Sequence, residues 1–177
     1  MNPILELNKE VFLFLNQKIA NSMLDFVVLY IFIPSFSLLL ILPIYMLIES
    51  KYNKDKKILA LFALFSGFFL YWLGDNLLKP LFDIPRPSAL FENVRKVGPF
   101  KEKSSSFPST TTMFAFGLSL PIIFHQRKIG VFVIFLSLLV GFSVIYTGFH
   151  TPLDVISGIL FSILFVIIFD KIINIKL

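Results

Sequence analysis

The chain has 177 residues, of which 56% are apolar and only 15% are charged, and its formal net charge is +5. Soluble domains are about 45–50% apolar and about 25% charged, so this composition excludes an ordinary soluble domain and indicates a chain surrounded largely by lipid. The absence of cysteine excludes disulfide bonds, a thiolate nucleophile and a cysteine-bound metal. The positive charge does not indicate a nucleic acid partner, because the basic residues flank apolar runs.

The first twenty or so residues have the pattern of an amphipathic helix. Apolar residues recur there at helical spacing, and charged residues lie between them. The apolar positions are Ile4, Leu7, Val11, Phe14 and Leu15. We therefore expect an N-terminal helix that lies in the membrane interface.

Five segments that follow are apolar and long enough, or nearly so, to cross a membrane as helices. A spanning helix needs about 20 apolar residues, because the hydrocarbon core is about 30 Å thick and each residue rises about 1.5 Å. Pro34 and Pro43 lie inside the first segment and predict a kinked span. The predicted spans are residues 26–48, 58–78, 107–124, 129–149 and 152–169. The predicted fold is all-α, a polytopic membrane helix bundle in which residues 1–177 form a single domain with five transmembrane helices and the interfacial helix.

The five spans place the two chain ends on opposite faces of the membrane. One face receives residues 49–57, the C-terminal tail and a basic hairpin in which His125 is expected to be solvated. The other face receives the N-terminal helix, the long loop of residues 79–108 and the turn at His150. Lysine and arginine divide evenly between the faces, but dense basic clusters in short loops favour the first face as cytoplasmic. We therefore predict an integral protein of the cytoplasmic (inner) membrane whose long loop faces the periplasm or exterior.

Ionisable residues at the end of the second span come to this second face. A charge deep in a bilayer costs roughly 2.5–3.5 kcal/mol, so such groups commonly mark a functional site. Lys79 and Arg86 lie in the segment KPLFDIPRP, whose prolines predict an irregular strap rather than a continuing helix. Asp75 lies four residues before Lys79 and is expected to pair with it. The alternative role of the two cations is snorkelling to lipid phosphates.

Two predicted helix starts bring further polar groups to the same face. Ser109 is predicted to cap the third span, where unpaired N–H groups and the helix dipole favour an anion, although capping alone would also explain this serine. At the fifth span, Thr151, Pro152 and Asp154 fit a helix start with a capping box. That explanation leaves His150 without a role. A neutral imidazole beside a carboxylate is a nucleophile or a base.

Together these residues meet the requirements of phosphoryl transfer. Cations and helix N–H groups neutralise the non-bridging oxygens of a phosphate, and a nucleophile attacks phosphorus in line. The acids near the site, Asp75, Asp83 and Asp154, are few and spread out, whereas Mg²⁺ prefers clustered oxygens. We therefore expect no metal.

The order and spacing of these residues resemble the three-part signature of the type-2 phosphatidic acid phosphatase superfamily, whose integral members remove phosphate from lipids. The matching residues are Lys79-x6-Arg86-Pro87, then Pro108-Ser109, then Ser143-x6-His150-x3-Asp154. The resemblance covers roughly residues 70–160. It implies that His150 forms a phosphohistidine and that Asp154 orients it. It also implies that Lys79, Arg86 and Ser109 bind the phosphate, without a metal or another cofactor.

Two motifs depart from the family pattern. The second family motif reads Pro-Ser-Gly-His, but this chain has Thr110 and Thr111 at the last two positions, and the third motif has Val144 where the family has arginine. An acid for the leaving oxygen and one phosphate-binding cation are therefore missing. General acid catalysis is worth about 10²–10⁴-fold, so the loss matters. Thr110 and Thr111 remain candidates for binding the substrate phosphate.

Three explanations of the departures are open. The first is that the leaving group of the substrate needs little protonation. This explanation favours a polyprenyl diphosphate or lipid A 1-phosphate as the substrate, with phosphatidylglycerophosphate close behind. Alternatively, loop cations replace the lost groups, the candidates being Arg95, Lys96, Lys101 and Lys103. Otherwise the chain is a pseudoenzyme that binds lipid phosphate without turnover. A small transporter or assembly subunit is a further alternative, but few polar residues lie in mid-span. The sequence therefore predicts a metal-independent membrane lipid phosphate phosphatase.

Overall fold

A computed structural model describes residues 2–98 and 105–173 of the chain. Over these residues the structure is helical, and its β pairing is limited to an isolated bridge between Pro85 and Ser105. The helices are α1 (Pro3–Leu13), α2 (Ser22–Val27), α3 (Ser35–Glu49), α4 (Lys54–Leu73), α5 (Lys79–Phe82), α6 (Pro87–Leu90), α7 (Thr110–His125), α8 (Arg127–Tyr146) and α9 (Pro152–Ile173). Single π-helical turns follow α1, α2 and α4, and a 3₁₀ turn follows α3.

The helices form the predicted polytopic bundle, so the all-α membrane fold is confirmed. Four continuous helical stretches are long and apolar enough to cross a membrane: Ser22–Tyr52, Lys54–Phe82, Arg127–Tyr146 and Pro152–Ile173. Helix α7 is apolar but has only 16 residues, and most of its side chains are buried against α4, α8 and α9. Because α7 occupies the centre of the bundle, it is in contact mainly with other helices rather than with lipid.

Helices α4 and α7 approach each other closely at two glycines. A Cβ atom on Gly117 would lie 2.9 Å from the Cα atom of Gly67 and 2.9 Å from the carbonyl oxygen of Ser66. Small residues at such a crossing let two backbones pack without a side chain between them. The close packing fixes the start of α7 relative to the end of the second span, and both carry candidate site residues.

The second span continues one turn beyond its predicted end. A π turn at Gly74–Leu78, in which the Lys79 N–H donates to the Gly74 carbonyl, precedes α5. Pro80 lies within a helix although it has no N–H to donate to the preceding turn. We attribute this to the π turn, because it shifts the pairing of N–H and carbonyl groups by one residue just before the proline. The helix ends at Asp83, whose φ of 43° is left-handed. The prediction that Lys79 begins an irregular strap was therefore wrong, and the strap begins at Asp83.

Helix α1 forms as predicted, and most of the predicted apolar residues are exposed rather than buried in the bundle. Ile4 and Leu7 are 60% exposed, whereas Phe12 and Asn16 are fully buried. The side chain of Asn8 accepts a hydrogen bond from the N–H of Leu153 at 2.9 Å, which places α1 against the start of α9. Ile4, Leu7 and Val11 therefore face outward, as suits a helix at a membrane interface.

The end of the bundle opposite to α1 contains the second histidine. His125 Nε2 lies 2.6 Å from Asp170 Oδ1, and the histidine side chain is only 13% exposed. Helices α7 and α9 both run away from the α1 end and pack side by side, so their last turns meet. The prediction that His125 is solvated was therefore wrong.

Candidate active site

Four chain segments bring polar side chains to one end of the bundle. They are the end of the second span, the strap after Asp83, the start of α7 and the turn between α8 and α9. These segments line a cavity of about 600 Å³. Its polar lining includes Asp75, Lys79, Arg86, Thr110, Thr111 and His150, and its apolar lining includes Ile33, Phe36, Tyr71 and Val140. The cavity thus combines a cationic, imidazole-containing wall with a wall suited to a lipid.

Lys79 is buried and is held by two side chains. Its Nζ donates to Asp75 Oδ1 at 2.9 Å and to Thr110 Oγ1 at 3.2 Å. The predicted ion pair between Asp75 and Lys79 is confirmed. A buried ammonium needs such a partner, because the free energy of desolvating an unpaired charge would be several kcal/mol. Asp75 therefore fixes the position of the cation at the cavity wall.

Arg86 joins the strap to the turn that carries the histidine. Its NH1 donates to the Phe149 carbonyl at 2.8 Å and lies 3.3 Å from His150 Nε2. The strap is itself held by the N–H of Ser106, which donates to the Ile84 carbonyl at 2.7 Å. The guanidinium is therefore next to the ring nitrogen that does not face Asp154.

The predicted pair of His150 and Asp154 is brought together, with a serine hydroxyl beside both. His150 Nδ1 lies 3.6 Å from Asp154 Oδ2, which is longer than a normal hydrogen bond. Ser106 Oγ donates to the same carboxylate oxygen at 2.6 Å and lies 3.4 Å from His150 Nδ1. The N–H of Thr151 also donates to Asp154, at 2.7 Å. A hydroxyl that donates a hydrogen bond to Asp154 can still accept one from the Nδ1–H of His150. Ser106 is therefore placed to link the carboxylate to the imidazole.

Sequence reasoning missed Ser106. It lies in a run of three serines, residues 104–106, and their spacing alone does not distinguish one from another. The contacts make the distinction, because Ser105 donates instead to Asp83 at 2.9 Å. The nearest signal in the sequence is the position of Ser106 two residues before Pro108, at the start of the second motif.

The surroundings of His150 lower its pKa below the ordinary value of 6.5. Burial is the main cause, and the positive charges of Arg86 and Lys79 add to it, while Asp154 opposes the shift. A lowered pKa keeps the imidazole neutral at neutral pH. The neutral imidazole has the lone pair that a nucleophile requires.

Replacing Ser106 with alanine is expected to lower the rate of phosphate release. The variant loses the hydroxyl beside His150 Nδ1, so the ring is oriented less firmly and kcat falls about tenfold. Ser105→Ala is the matched control, because the neighbouring hydroxyl contacts Asp83 rather than Asp154. Steady-state phosphate release in detergent measures both variants. Equal kcat values for the two would contradict the assigned role of Ser106.

The start of α7 has the predicted cap. Ser109 Oγ accepts hydrogen bonds from the N–H of Thr112 at 3.4 Å and from the Thr112 hydroxyl at 2.9 Å. Its own N–H donates to the Asp154 carbonyl at 3.0 Å, which ties α7 to α9. Ser109 is fully buried behind the cavity, whereas Thr110 and Thr111 line it. Phosphate binding by these three residues stays a prediction.

The loop cations do not fill the place of the missing arginine within the described residues. Neither Arg95 nor Lys96 lines the cavity. The Arg95 guanidinium instead forms an ion pair with Asp25 at 2.8 Å. Lys101 and Lys103 lie outside the described residues. Replacement of the lost groups by Arg95 is therefore excluded.

The titratable groups of the site do not form a metal-binding cluster. In residues 2–98 and 105–173, no three histidine, cysteine or carboxylate side chains lie close enough together to hold a metal ion. The site instead combines two cations, an imidazole, a carboxylate and a helix start. This combination is the one expected of a membrane-embedded site for a phosphate ester.

Comparison with known families identifies the same class. Residues 55–176 match the PAP2 superfamily. The chain therefore belongs to the PAP2 superfamily, and the resemblance seen in the sequence is confirmed. Residues 2–54, which include α1 to α3, precede the matched region.

Three individual proteins are similar in sequence to different portions of this chain. A probable sphingosine-1-phosphate phosphatase of Dictyostelium discoideum is 36% identical over 105 residues, covering 51% of this chain and 25% of that protein. Undecaprenyl-diphosphatase BcrC of Bacillus subtilis is 37% identical over 67 residues, covering 38% and 35%. The first match thus spans about a quarter of the length of its relative, and the second about a third. Bacitracin transport permease protein BcrC of Bacillus licheniformis is 30% identical over 164 residues, covering 90% and 77%.

Two crystal structures share the fold. LpxE of Aquifex aeolicus superposes with a TM-score of 0.72 at 29% identity, covering 92% of this chain and 93% of that one. A transmembrane PAP2 type phosphatidylglycerolphosphate phosphatase from Bacillus subtilis superposes with a TM-score of 0.74 at 21% identity, covering 99% and 89%. The second likeness concerns the fold alone. With its apolar helices, the chain is an integral membrane protein of this superfamily.

Proposed function

We propose that this protein is a lipid phosphate phosphatase that works through a phosphohistidine at His150 and needs no metal. One observation carries the proposal. A buried imidazole lies 3.3 Å from the Arg86 guanidinium on one side and beside Asp154 on the other, in the wall of a cavity that also has an apolar lining. This arrangement suits a substrate with a phosphate at one end and a lipid at the other.

The reaction proceeds in two displacements. His150 Nε2 attacks the terminal phosphorus, the bond from that phosphorus to the bridging oxygen breaks, and this oxygen leaves with the bonding electrons as part of the lipid product, which is a lipid monophosphate when the substrate is a diphosphate and a lipid hydroxyl when it is a monophosphate. Arg86 and Lys79 neutralise the non-bridging oxygens, and Asp154 stabilises the imidazolium side of the intermediate. Water then attacks phosphorus, the phosphorus–nitrogen bond breaks, and inorganic phosphate is released with a neutral His150. The departing oxygen takes its proton from solvent, because Thr111 cannot act as an acid near neutral pH.

The lack of an acid points to a substrate with a good leaving group. A diphosphate releases a phosphate whose second pKa is about 6, so it needs little protonation. We therefore favour a polyprenyl diphosphate or lipid A 1-phosphate over an ordinary alkyl phosphate, with phosphatidylglycerophosphate as the alternative. The relative named undecaprenyl-diphosphatase supports the first of these choices.

The site is proposed to open on the periplasmic or exterior side of the cytoplasmic (inner) membrane. The basic loop at residues 49–57 and the hairpin at 127–128 lie at the other end of the bundle. Short loops rich in lysine and arginine are retained in the cytoplasm, which supports this orientation.

The proposal is tested by phosphate release from purified protein in detergent with EDTA. We expect release of inorganic phosphate from undecaprenyl diphosphate or lipid A 1-phosphate, and slower release from phosphatidylglycerophosphate. A second candidate, a lipid-phosphate-binding pseudoenzyme, is favoured by the missing acid at Thr111. It predicts saturable binding of these lipids with no release from any of them, and that result would overturn the phosphatase proposal.

Restoring the family histidine is expected to change substrate preference. Thr111→His supplies an acid at the cavity wall, so kcat for phosphatidylglycerophosphate rises about tenfold or more, while kcat for a diphosphate changes little. Thr111→Gln is the matched control, because glutamine has a similar size and does not titrate. The same phosphate assay measures both variants on both lipids. A uniform gain on the two lipids would contradict the leaving-group explanation.

A further inference from the structure

The turn that carries His150 is anchored by three segments outside it. Each anchor is a hydrogen bond to a backbone carbonyl at or just before the turn. The pairs are Arg86 with the Phe149 carbonyl at 2.8 Å, the Val97 N–H with the Thr147 carbonyl at 3.3 Å, and Asn16 with the Tyr146 carbonyl at 2.8 Å. The first belongs to the active site itself. The other two come from a loop and a helix that do not line the cavity.

Asn16 is fully buried, and both its amide nitrogen and its amide oxygen form hydrogen bonds. Its Nδ2 donates to the Tyr146 carbonyl and, at 2.9 Å, to the Arg95 carbonyl. Its Oδ1 accepts from the Arg95 N–H at 2.9 Å. The side chain therefore pairs with the backbone of Arg95 as a neighbouring strand would, and at the same time holds the last residue of α8.

The side chain of Arg95 closes the network. Its NH2 donates to both carboxylate oxygens of Asp25, at 3.1 and 2.8 Å, and its NH1 donates to the Asn16 carbonyl at 3.2 Å. The guanidinium carbon lies 6.0 Å from the centre of the Tyr146 ring, and the Tyr146 hydroxyl donates to Asp25 at 2.6 Å. Four side chains from four segments thus form one connected set: Asn16, Asp25, Arg95 and Tyr146.

The backbone of Arg95 also packs directly against the turn. Gly148 has a φ of +88°, which disfavours other residues, and a Cβ atom added there would collide with the Arg95 carbonyl oxygen. A shift of the Arg95 backbone would therefore move Gly148, which is two residues before His150.

We infer that Arg95, held by Asn16 and Asp25 and lying over the ring of Tyr146, is a positioning residue that sets the placement of His150. It acts through the turn, because it does not line the cavity. Asn16 and Asp25 precede the region that matches the family, so this support is a contribution of the N-terminal segment. The inference rests on the proposed function in the test that measures activity, and it does not in the test that measures hydrogen exchange.

The first test separates positioning from substrate binding. Arg95→Gln keeps a polar, flexible side chain but shortens it and loses the ion pair with Asp25. We expect kcat to fall about tenfold or more while KM stays within about twofold, because the cavity wall is unchanged. Tyr146→Phe is expected to cause a smaller loss, and Arg95→Lys to restore part of the rate. Lys18→Gln, which removes an exposed cation elsewhere in the N-terminal segment, is the matched control and is expected to retain wild-type rates.

The second test does not depend on catalysis. Hydrogen–deuterium exchange of the full chain in detergent is expected to be faster at residues 146–150 in Arg95→Gln than in the wild type, with little change at the start of α7. An unchanged kcat, or an exchange increase spread evenly over all helices, would overturn the inference. If the wild type releases no phosphate from any lipid, the proposed function fails, and exchange at the turn still decides whether Arg95 positions it.

Discussion

Replacing His150 with alanine is expected to reduce kcat by at least about 10³-fold, because the variant has no atom that can form the covalent intermediate. The measurement is phosphate release in EDTA, combined with alkaline quenching of the enzyme after brief exposure to substrate labelled in the transferred phosphate. The wild type is expected to retain acid-labile, base-stable label, as a phosphoramidate does. The alanine variant is expected to retain none.

The second histidine provides the control for this experiment. His125 is paired with Asp170 at the opposite end of the bundle. His125→Ala is therefore expected to keep its activity and its labelled intermediate. Label that survives in His150→Ala but disappears in His125→Ala would overturn the assignment of the nucleophile.

Replacing Asp154 with asparagine is expected to lower kcat by about 10²–10⁴-fold, since the side chain keeps its shape and loses its charge. In the wild type, the carboxylate accepts hydrogen bonds from Ser106 at 2.6 Å and from the Thr151 N–H at 2.7 Å, and it lies 3.6 Å from His150 Nδ1. An uncharged amide cannot stabilise the positive charge that develops on the imidazole. KM is expected to change much less than kcat.

The pH profile distinguishes this effect from a general loss of structure. His150 must be neutral to attack, so activity falls as the pH drops through the pKa of His150, which lies below 6.5. Asp154 raises that pKa, and its loss is expected to move the acid limb of kcat/KM to still lower pH. Ionisation of the substrate is the same for both enzymes and cancels in the comparison. An acid limb that stays in place would show that Asp154 does not act on His150.

The elements of the fold were predictable wherever lipid imposes a simple rule. A run of about 20 apolar residues must be helical to satisfy its own backbone, so the spans could be found from composition alone. The end of the second span, near Pro80, was less predictable. A π turn there changes which N–H groups form the hydrogen bonds of the helix. Helix α1 was predicted from its periodicity, but the apolar face does not show that Asn16 is the residue the protein buries.

Chemistry and order in the chain were sufficient to predict the main residues of the candidate site. A histidine, a carboxylate and two cations at span ends are expensive in lipid, so His150, Asp154, Lys79 and Arg86 stand out without any coordinates. The spacing of four between Asp75 and Lys79 likewise predicts their ion pair, because it places them on one helix face. For these residues the signal is local in the sequence.

The tertiary structure alone decided which further residues support that site. Ser106 was one of three consecutive serines, and Arg95 was one of several loop cations. Ser106 is distinguished by its position beside Asp154, and Arg95 by its place between Asn16, Asp25 and Tyr146. A hydrogen bond depends on distances of about 3 Å between residues far apart in the chain, and no local pattern encodes such distances. The sequence therefore determined the membrane bundle and its reactive groups, whereas packing between distant segments decided what holds the histidine in place.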